Sequence, residues 1–251
     1  MKKISTIIIS VLIAFHSQAQ KQKKASAAWL IQPSFAWHMP AADMDQYFGN
    51  NVTVGVGGAF KTQSNWRFGI DGQYIFSDNI KNPQLILAPL LTDRGFILNS
   101  IGNYASVSLL ERGFFFNGEI GKNLEFAKVN ANSGPDITLG AGYLMHWIEI
   151  KNAGNDTPQL LDEYLKGYDR LSGGFMLKQS LGYTYLSASR RINFRISFEV
   201  IAAFTENLRG FDYSTGRELS GARQDILYGF RFQWILPIYT TSNSTDTFFY
   251  D

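Results

Sequence analysis

The alternation of bulky apolar residues with small or polar ones is clearest near the end of the chain, over residues 226–239. One set of alternate positions is wholly apolar or aromatic and comprises Tyr228, Phe230, Phe232, Trp234, Leu236 and Ile238. The positions between them include Gly229, Arg231 and Gln233. Because the side chains of a β-strand point alternately to its two faces, this period of two predicts a strand with one apolar face.

The same alternation recurs along the rest of the chain. The other segments that carry it are 29–39, 52–61, 66–76, 102–121, 137–147, 175–185 and 194–204. In 102–121 the apolar phase changes at Glu111-Arg112-Gly113. This change indicates either a bulge in one long strand or a tight hairpin between two strands.

The lengths of the connections bear on that choice. Long connections are expected at 40–51, 77–101, 151–172 and 208–225, and shorter ones at 62–65, 122–136 and 187–192. Transmembrane barrels have short turns at one end and long loops at the other, and this chain follows that rule if 102–121 is one bulged strand. The sequence therefore predicts an all-β fold, an antiparallel up-and-down transmembrane β-barrel of about eight strands, with ten strands as the alternative.

The polar faces of the predicted strands differ from a solvated surface, since they are rich in Gly, Ser, Thr and Ala and carry few charges. The interior of an eight-stranded barrel is just filled by its side chains, and ions buried there must be paired. We therefore expect a charge network in the lumen, formed by Arg67, Asp71, Glu119, Lys178, Arg195, Glu199 and Arg231. The apolar faces would then meet lipid, and a soluble sandwich with those faces turned inward is the alternative.

Aromatic residues near the predicted strand ends fit the belts that membrane proteins place at the lipid–water interface. The expected aromatic girdle comprises Trp29, Trp37, Trp66, Trp147, Tyr185, Trp234 and Tyr239.

The first 19 residues have the organisation of a secretory signal peptide. Lys2 and Lys3 precede an apolar run over 4–15, and Ser17-Gln18-Ala19 forms a small-x-small cleavage site. That run is shorter than the roughly 20 residues of a spanning helix. We therefore expect a signal peptide at 1–19, a disordered lead-in at 20–27, an outer-membrane barrel at 28–239 and a tail at 240–251.

The composition narrows the possible chemistry. The chain has no cysteine, which excludes a disulfide scaffold, a thiol nucleophile and a Cys-based metal site. The formal net charge is +2, and removal of the two lysines of the signal peptide would bring it to zero. A net charge of zero does not favour nucleic acid as a partner.

Two histidines, His38 and His146, would remain in the mature chain, at inward positions near strand ends. Ser34 or Glu149 is a conceivable hydrogen-bond partner for either of them. Isolated histidines are more often structural than catalytic, and two of them without cysteine do not make a zinc site. The sequence therefore predicts no catalytic residue, no metal site and no cofactor.

With these features the chain resembles the small outer-membrane β-barrels typified by the membrane domain of OmpA and by OmpX. The resemblance covers 28–239 and rests on the signal peptide, the alternating strands and the aromatic final strand from Gly229 to Tyr239. It implies the barrel fold and contact with outer-membrane lipid and lipopolysaccharide. Such proteins usually end on the terminal aromatic, whereas residues 240–251 follow here. Because the resemblance is one of architecture, it implies little about function.

Two of the long loops contain apolar residues and predict short extracellular helices. Asn82-Pro83 opens the first, which Pro89 would bend and Gly95 would end, and Asp156-Thr157-Pro158 opens the second. The apolar loop residues would either cap the barrel mouth or form a docking surface for another envelope protein. They comprise Leu85, Leu87, Leu161, Tyr164, Leu165 and Tyr168. Charged residues of the loops include Arg94, Asp169, Arg170 and Arg209. The sequence favours surface salt bridges of no consequence for them, and links between the loops or contacts with lipopolysaccharide phosphates are the alternatives.

The function that the sequence favours is a non-enzymatic outer-membrane barrel whose lumen is plugged by charged side chains. It would be structural, or an accessory subunit of an envelope, secretion or surface-assembly complex. An outer-membrane enzyme acting on lipid A or surface peptides and a narrow passive channel are the alternatives.

Overall fold

The computed structural model describes residues 25–124, 126, 129–187, 191–218 and 221–240. The predicted signal peptide, most of the predicted lead-in and the tail from 241 lie outside these residues. The strands are β1 (Ala28–Ala42), β2 (Asn51–Lys61), β3 (Trp66–Ser77), β4 (Val107–Asn123), β5 (Gly134–Asn152), β6 (Ser172–Leu186), β7 (Asn193–Asn207), β8 (Phe211–Asp212), β9 (Arg217–Glu218), β10 (Ala222–Trp234) and β11 (Leu236–Tyr239). The helices are α1 (Pro83–Ile86) and α2 (Asp162–Leu165), and short 3₁₀ turns lie at Met44–Gln46, Ala88–Leu90 and Pro158–Leu160.

The large sheet closes on itself. Each strand from β1 to β6 pairs antiparallel with the next along the chain, β7 also pairs with β10, and β10 and β11 both pair with β1. Since β10 and β11 are separated by Ile235 alone, they form one interrupted strand, and the barrel has eight. The predicted eight-stranded up-and-down barrel is confirmed, and the ten-stranded alternative is wrong.

The predicted bulge in the fourth strand is also wrong. β4 pairs without interruption with β3 on one side, through Ser77↔Glu111, and with β5 on the other. The apparent change of phase arises because Leu109, which is buried on the inward face, is apolar like the outward residues farther along β4.

The two ends of the barrel differ in their connections. At one end, called here the turn end, the strands are joined by 62–65, 124–133 and 187–192. The other end, called the loop end, carries 43–50, 78–106, 153–171 and 208–221. The loop-end segments contain both short helices, as predicted, and the β8–β9 hairpin. Asn82 occupies the N-cap position of α1, with a left-handed φ of 51° and without a side-chain capping bond.

The outward faces of the strands are apolar, and large exposed side chains are spread around the wall, including Ile70, Phe230 and Trp29. Outward charges on the strands lie toward the strand ends, at Arg112, Lys122, Glu149, Lys151 and Glu206. Within the residues that the structure describes, no helix combines the length and the apolar character needed to cross a membrane.

The lumen contains two apolar clusters. The loop-end cluster is large and includes inward strand residues together with loop residues that cover them. It comprises Met44, Phe48, Ile75, Ile86, Leu87, Ile97, Leu109, Phe115, Leu144, Ile148, Ile150, Leu160, Tyr168, Met176, Ile201, Ala203 and Leu227. The turn-end cluster comprises Ala28, Leu30, Ala59, Leu186 and Ile235. The inward faces, which the sequence analysis describes as rich in small residues with few charges, therefore also carry large apolar side chains at both ends.

Residues 25–27, the described part of the predicted lead-in, lie against the turn end of the barrel. Ala25 is buried, and the Ser26 N–H donates to Asn132 Oδ1 at 2.9 Å. The ammonium of Lys61, an inward residue, donates to Ser26 O and to Asn132 Oδ1 at 3.3 and 3.0 Å. The chain therefore lies against the turn end before it enters β1.

Candidate functional site: the ionic layer of the lumen

Between the two apolar clusters lie four cationic and four carboxylate side chains, called here the ionic layer. Its members are Arg67, Lys178, Arg195 and Arg231 with Asp71, Glu119, Asp136 and Glu199. They come from inward positions of β3, β4, β5, β6, β7 and β10, so strand alternation alone directs them into the lumen. The equal numbers of opposite charges fit the rule that a buried ion needs a partner.

One part of the ionic layer is a continuous chain of ion pairs. Lys178 Nζ lies 3.0 Å from both Glu119 Oε2 and Asp71 Oδ2. Asp71 Oδ2 also accepts from Arg231 Nη1 at 2.8 Å, and Arg231 Nε donates to Glu199 Oε1 at 3.0 Å. Each carboxylate is thus held by at least one cation across the lumen.

The other part is centred on Asp136. Its Oδ1 lies 2.7 Å from Arg195 Nη2 and 3.2 Å from Arg67 Nη2, and Thr184 donates to its Oδ2 at 2.7 Å. A Cβ at Gly121 would lie only 3.0 Å from Arg67 Nη2 and 2.8 Å from Thr138 Oγ1. Glycine at 121 therefore makes room for the guanidinium.

All seven residues expected in the charge network lie at inward positions of this layer. Sequence reasoning missed Asp136, because 122–136 was taken as a connection, whereas β5 begins at Gly134. The alternation along the sequence could have identified it, since Asp136 continues the inward phase of Thr138 and Gly140.

Both histidines are buried, and each has a carboxylate partner other than those considered from sequence. His38 Nε2 lies 2.7 Å from Glu199 Oε1, which attaches it to the ionic layer. His146 Nε2 lies 2.9 Å from Asp225 Oδ2, and its ring packs edge-on against Phe48.

The partners considered from sequence are engaged elsewhere. Ser34 Oγ accepts from Gln73 Nε2 at 2.8 Å, and Glu149 pairs with Arg112 at 2.9 Å on the outer surface. Neither histidine is therefore joined to a nucleophile. Across the described residues, no group of three or more His, Cys, Asp or Glu side chains is arranged to hold a metal ion.

The expected aromatic girdle divides between the two ends. Trp29, Trp66, Tyr185 and Trp234 lie at outward positions near the turn end, and Trp37 and Trp147 near the loop end. Tyr239 differs from this pattern, because it packs against the turn-end apolar cluster. Its position opposite the inward Ala28 gives it the inward phase.

The apolar loop residues do not form one exposed surface. Leu87 and Tyr168 are buried in the loop-end cluster, and Leu165 packs against it. Leu161 is half-buried, whereas Leu85 and Tyr164 are exposed. Part of the proposed docking set therefore caps the lumen instead.

Charged loop residues link separate loops. Arg170 Nη2 lies 2.9 Å from Asp212 Oδ2, and its guanidinium lies 3.9 Å from the centre of the Tyr47 ring. Arg209 Nε donates to both carboxylate oxygens of Asp169 at 3.0 Å. These hydrogen bonds raise the pKa of Arg209 above its ordinary value. Arg94 is exposed.

A closed eight-stranded barrel with an apolar exterior and an ionic interior has the construction of the small membrane β-barrels. The predicted resemblance to that class is confirmed at the level of architecture. The sequence matches no protein-family model and no curated protein.

Three solved structures of small barrels are similar to this chain. Neisserial surface protein A is 11% identical, with a TM-score of 0.41 over 82% of this chain and 97% of that protein. Ail, the attachment invasion locus protein of Yersinia pestis, is 8% identical, with a TM-score of 0.40 over 84% and 99% of the two chains. The outer membrane protein OprG of Pseudomonas aeruginosa is 11% identical, with a TM-score of 0.36 over 86% and 98%. Similarity at this level carries no function over to this chain.

Proposed function

We propose that the protein is a non-enzymatic integral outer-membrane β-barrel with a plugged lumen. It would be a structural protein or an accessory subunit of an envelope, secretion or surface-assembly complex. The observation that carries this proposal is the opposition of the two faces: apolar side chains point out of the wall, and buried ion pairs lie within it.

Water as the surrounding solvent would favour the reverse arrangement, with the apolar face inward. Lipid cannot hydrogen-bond to the backbone, so a spanning sheet must close, as this one does through β1 and β10. We therefore expect the mature protein to require detergent for solubility. On gels, unboiled samples should migrate differently from boiled ones, and identical migration with solubility in plain buffer would refute membrane insertion.

The proposal of a plugged lumen is supported by the positions of the charged and apolar side chains inside the barrel. The ionic layer lies between two apolar clusters, and the loop-end cluster is covered by loop residues such as Phe48 and Leu160. A pore for solutes would need a continuous polar path. We expect no steady conductance in planar bilayers, and a stable conductance altered by Glu199→Gln would favour the narrow channel instead.

The absence of catalysis is supported by the burial of both histidines, which keeps their rings away from a substrate outside the lumen. Replacing His38 and His146 by glutamine should leave the lipid A mass profile of the expressing cells unchanged. A changed profile would favour the enzyme.

The accessory role is supported by exposed apolar side chains on the loops, among them Leu85, Ile101, Tyr104 and Tyr164. Contiguous exposed apolar patches are typical of interaction sites, and the exposed ring of Tyr104 packs against that of Phe96, with 4.5 Å between their centres. Gentle detergent extraction of a tagged chain should retain a protein partner that Ile101→Ser with Tyr104→Ser releases. Serine in place of Ile31 and Phe35, on the lipid-facing wall of β1, serves as the control.

A further inference from the structure

Glu111 differs from the other buried carboxylates of the described strands. Asp71, Asp136, Glu199 and Asp225 each have a cationic side chain or a histidine within 3 Å, and Glu119 has Lys178 at 3.0 Å. Glu111 is fully buried and has no such partner. Its one side-chain hydrogen bond is accepted by Oε1 from the neutral amide of Asn51, at 2.9 Å.

The neighbouring cation, Arg112, does not neutralise this carboxylate. Its side chain lies on the outer side of the wall, where Nε pairs with Glu149 Oε2 at 2.9 Å. Its Nη1 donates to the main-chain oxygen of Glu111 at 2.7 Å, and not to the carboxylate. An unpaired charge at this depth would strongly destabilise the fold.

Two buried oxygen atoms at this point of the barrel wall have no hydrogen-bond partner, Glu111 Oε2 and Asn51 Oδ1. They belong to the two side chains that the 2.9 Å hydrogen bond joins. Oxygen atoms that lack a donor are the ligands that hard metal cations prefer.

We propose that Glu111, together with Asn51, binds a monovalent metal cation, Na⁺ or K⁺, inside the loop end of the barrel. One carboxylate balances one positive charge, which favours a monovalent ion. A calcium site uses six to eight oxygen ligands, commonly with several carboxylates, and the described residues provide no such group. The inward neighbours Leu109 and Ile148 would shield the ion from water.

The test is urea unfolding of the detergent-solubilised full-length mature protein, at constant pH and ionic strength, in sodium, potassium or N-methylglucamine chloride. An ion that binds only the folded state lowers the unfolding constant about 100-fold when its concentration is about 100 times its dissociation constant. We expect this stabilisation by sodium or potassium for the unmodified protein. Glu111→Gln should abolish it, since that variant keeps the acceptor for Asn51 and loses the charge.

Glu149→Gln is the matched control, because it removes a carboxylate at the same end but from the outer surface. It should retain the full cation effect. Equal unfolding in all three salts would overturn the proposal, and is the result expected if Glu111 carries a proton instead. A cation effect that survives Glu111→Gln would also overturn it. If Glu111→Gln does not fold, rubidium-soaked crystals of the unmodified protein decide: an anomalous peak beside Glu111 supports the site, and no peak there refutes it.

Discussion

The ionic layer and the loop-end apolar cluster fill the same lumen by opposite means. The ionic layer is built from strand residues alone, and its four cations are matched by four carboxylates. The loop-end cluster needs the loops, because Met44, Phe48 and Leu160 cover the inward residues of the strands. The strands alone therefore form the ionic layer, whereas the loop-end cluster is complete only with residues of the loops.

The largest loss of stability is expected from a substitution in the ionic layer. Arg231→Met removes the cation that joins Asp71 to Glu199 and leaves two buried carboxylates underpaired. We expect a loss of about 3–5 kcal/mol in the free energy of unfolding, measured by tryptophan fluorescence in urea with detergent. A loss within the roughly 0.5 kcal/mol of ordinary surface substitutions would show that the layer contributes no net stability.

A somewhat smaller loss is expected from the loop-end cluster. Ile148 is fully buried there, and Ile148→Ala should cost about 2–5 kcal/mol through lost burial and the cavity it leaves. The same urea titration measures it, and protease cleavage within 153–171 should also accelerate. Unchanged cleavage would show that the loops stay closed without this contact.

The links between loops should contribute less. Arg170→Ala removes the partner of buried Asp212 and the stacking on Tyr47, at an expected cost of about 1–3 kcal/mol. Protease cleavage within 208–221 should increase, while cleavage in 78–106 should not change. Equal acceleration in both segments would mean that the loops open as one unit.

The smallest effect is expected on the outer wall. Lys122 Nζ lies 4.9 Å from the centre of the Trp66 ring, and Lys122→Ala should cost about 0.5–1 kcal/mol. The same unfolding assay measures it, and the variant is also the external control for Arg231→Met. A loss as large as that of the buried arginine would invalidate the contrast between lumen and wall.

Much of the barrel could be predicted because strand alternation is a local property of the sequence. The outward residues of the final strand, from Tyr228 to Ile238, follow the predicted phase, and so do those of the other segments except the first part of 102–121, where Leu109 is inward. The ends of strands could not be fixed in this way. Asp136 and Asp225 were assigned to connections although both continue the inward phase of the adjoining strand.

The pairing inside the lumen was beyond sequence reasoning for a different reason. Which cation meets which carboxylate depends on the stagger of strands around the barrel, which brings Asp71 of β3 to Arg231 of β10. The apolar inward residues were misread because the covering loops were not known. Leu109 then resembled a lipid-facing residue, and the bulge was inferred from it.

The seam between β1 and β10 has a consequence for biogenesis. His38 and Glu199, whose side chains meet across the finished interior, are 161 residues apart in sequence. Contacts of such separation form late, and here they must wait until the final strand has been synthesised. Until then the growing sheet keeps an open edge, whose unpaired backbone groups can pair with another chain.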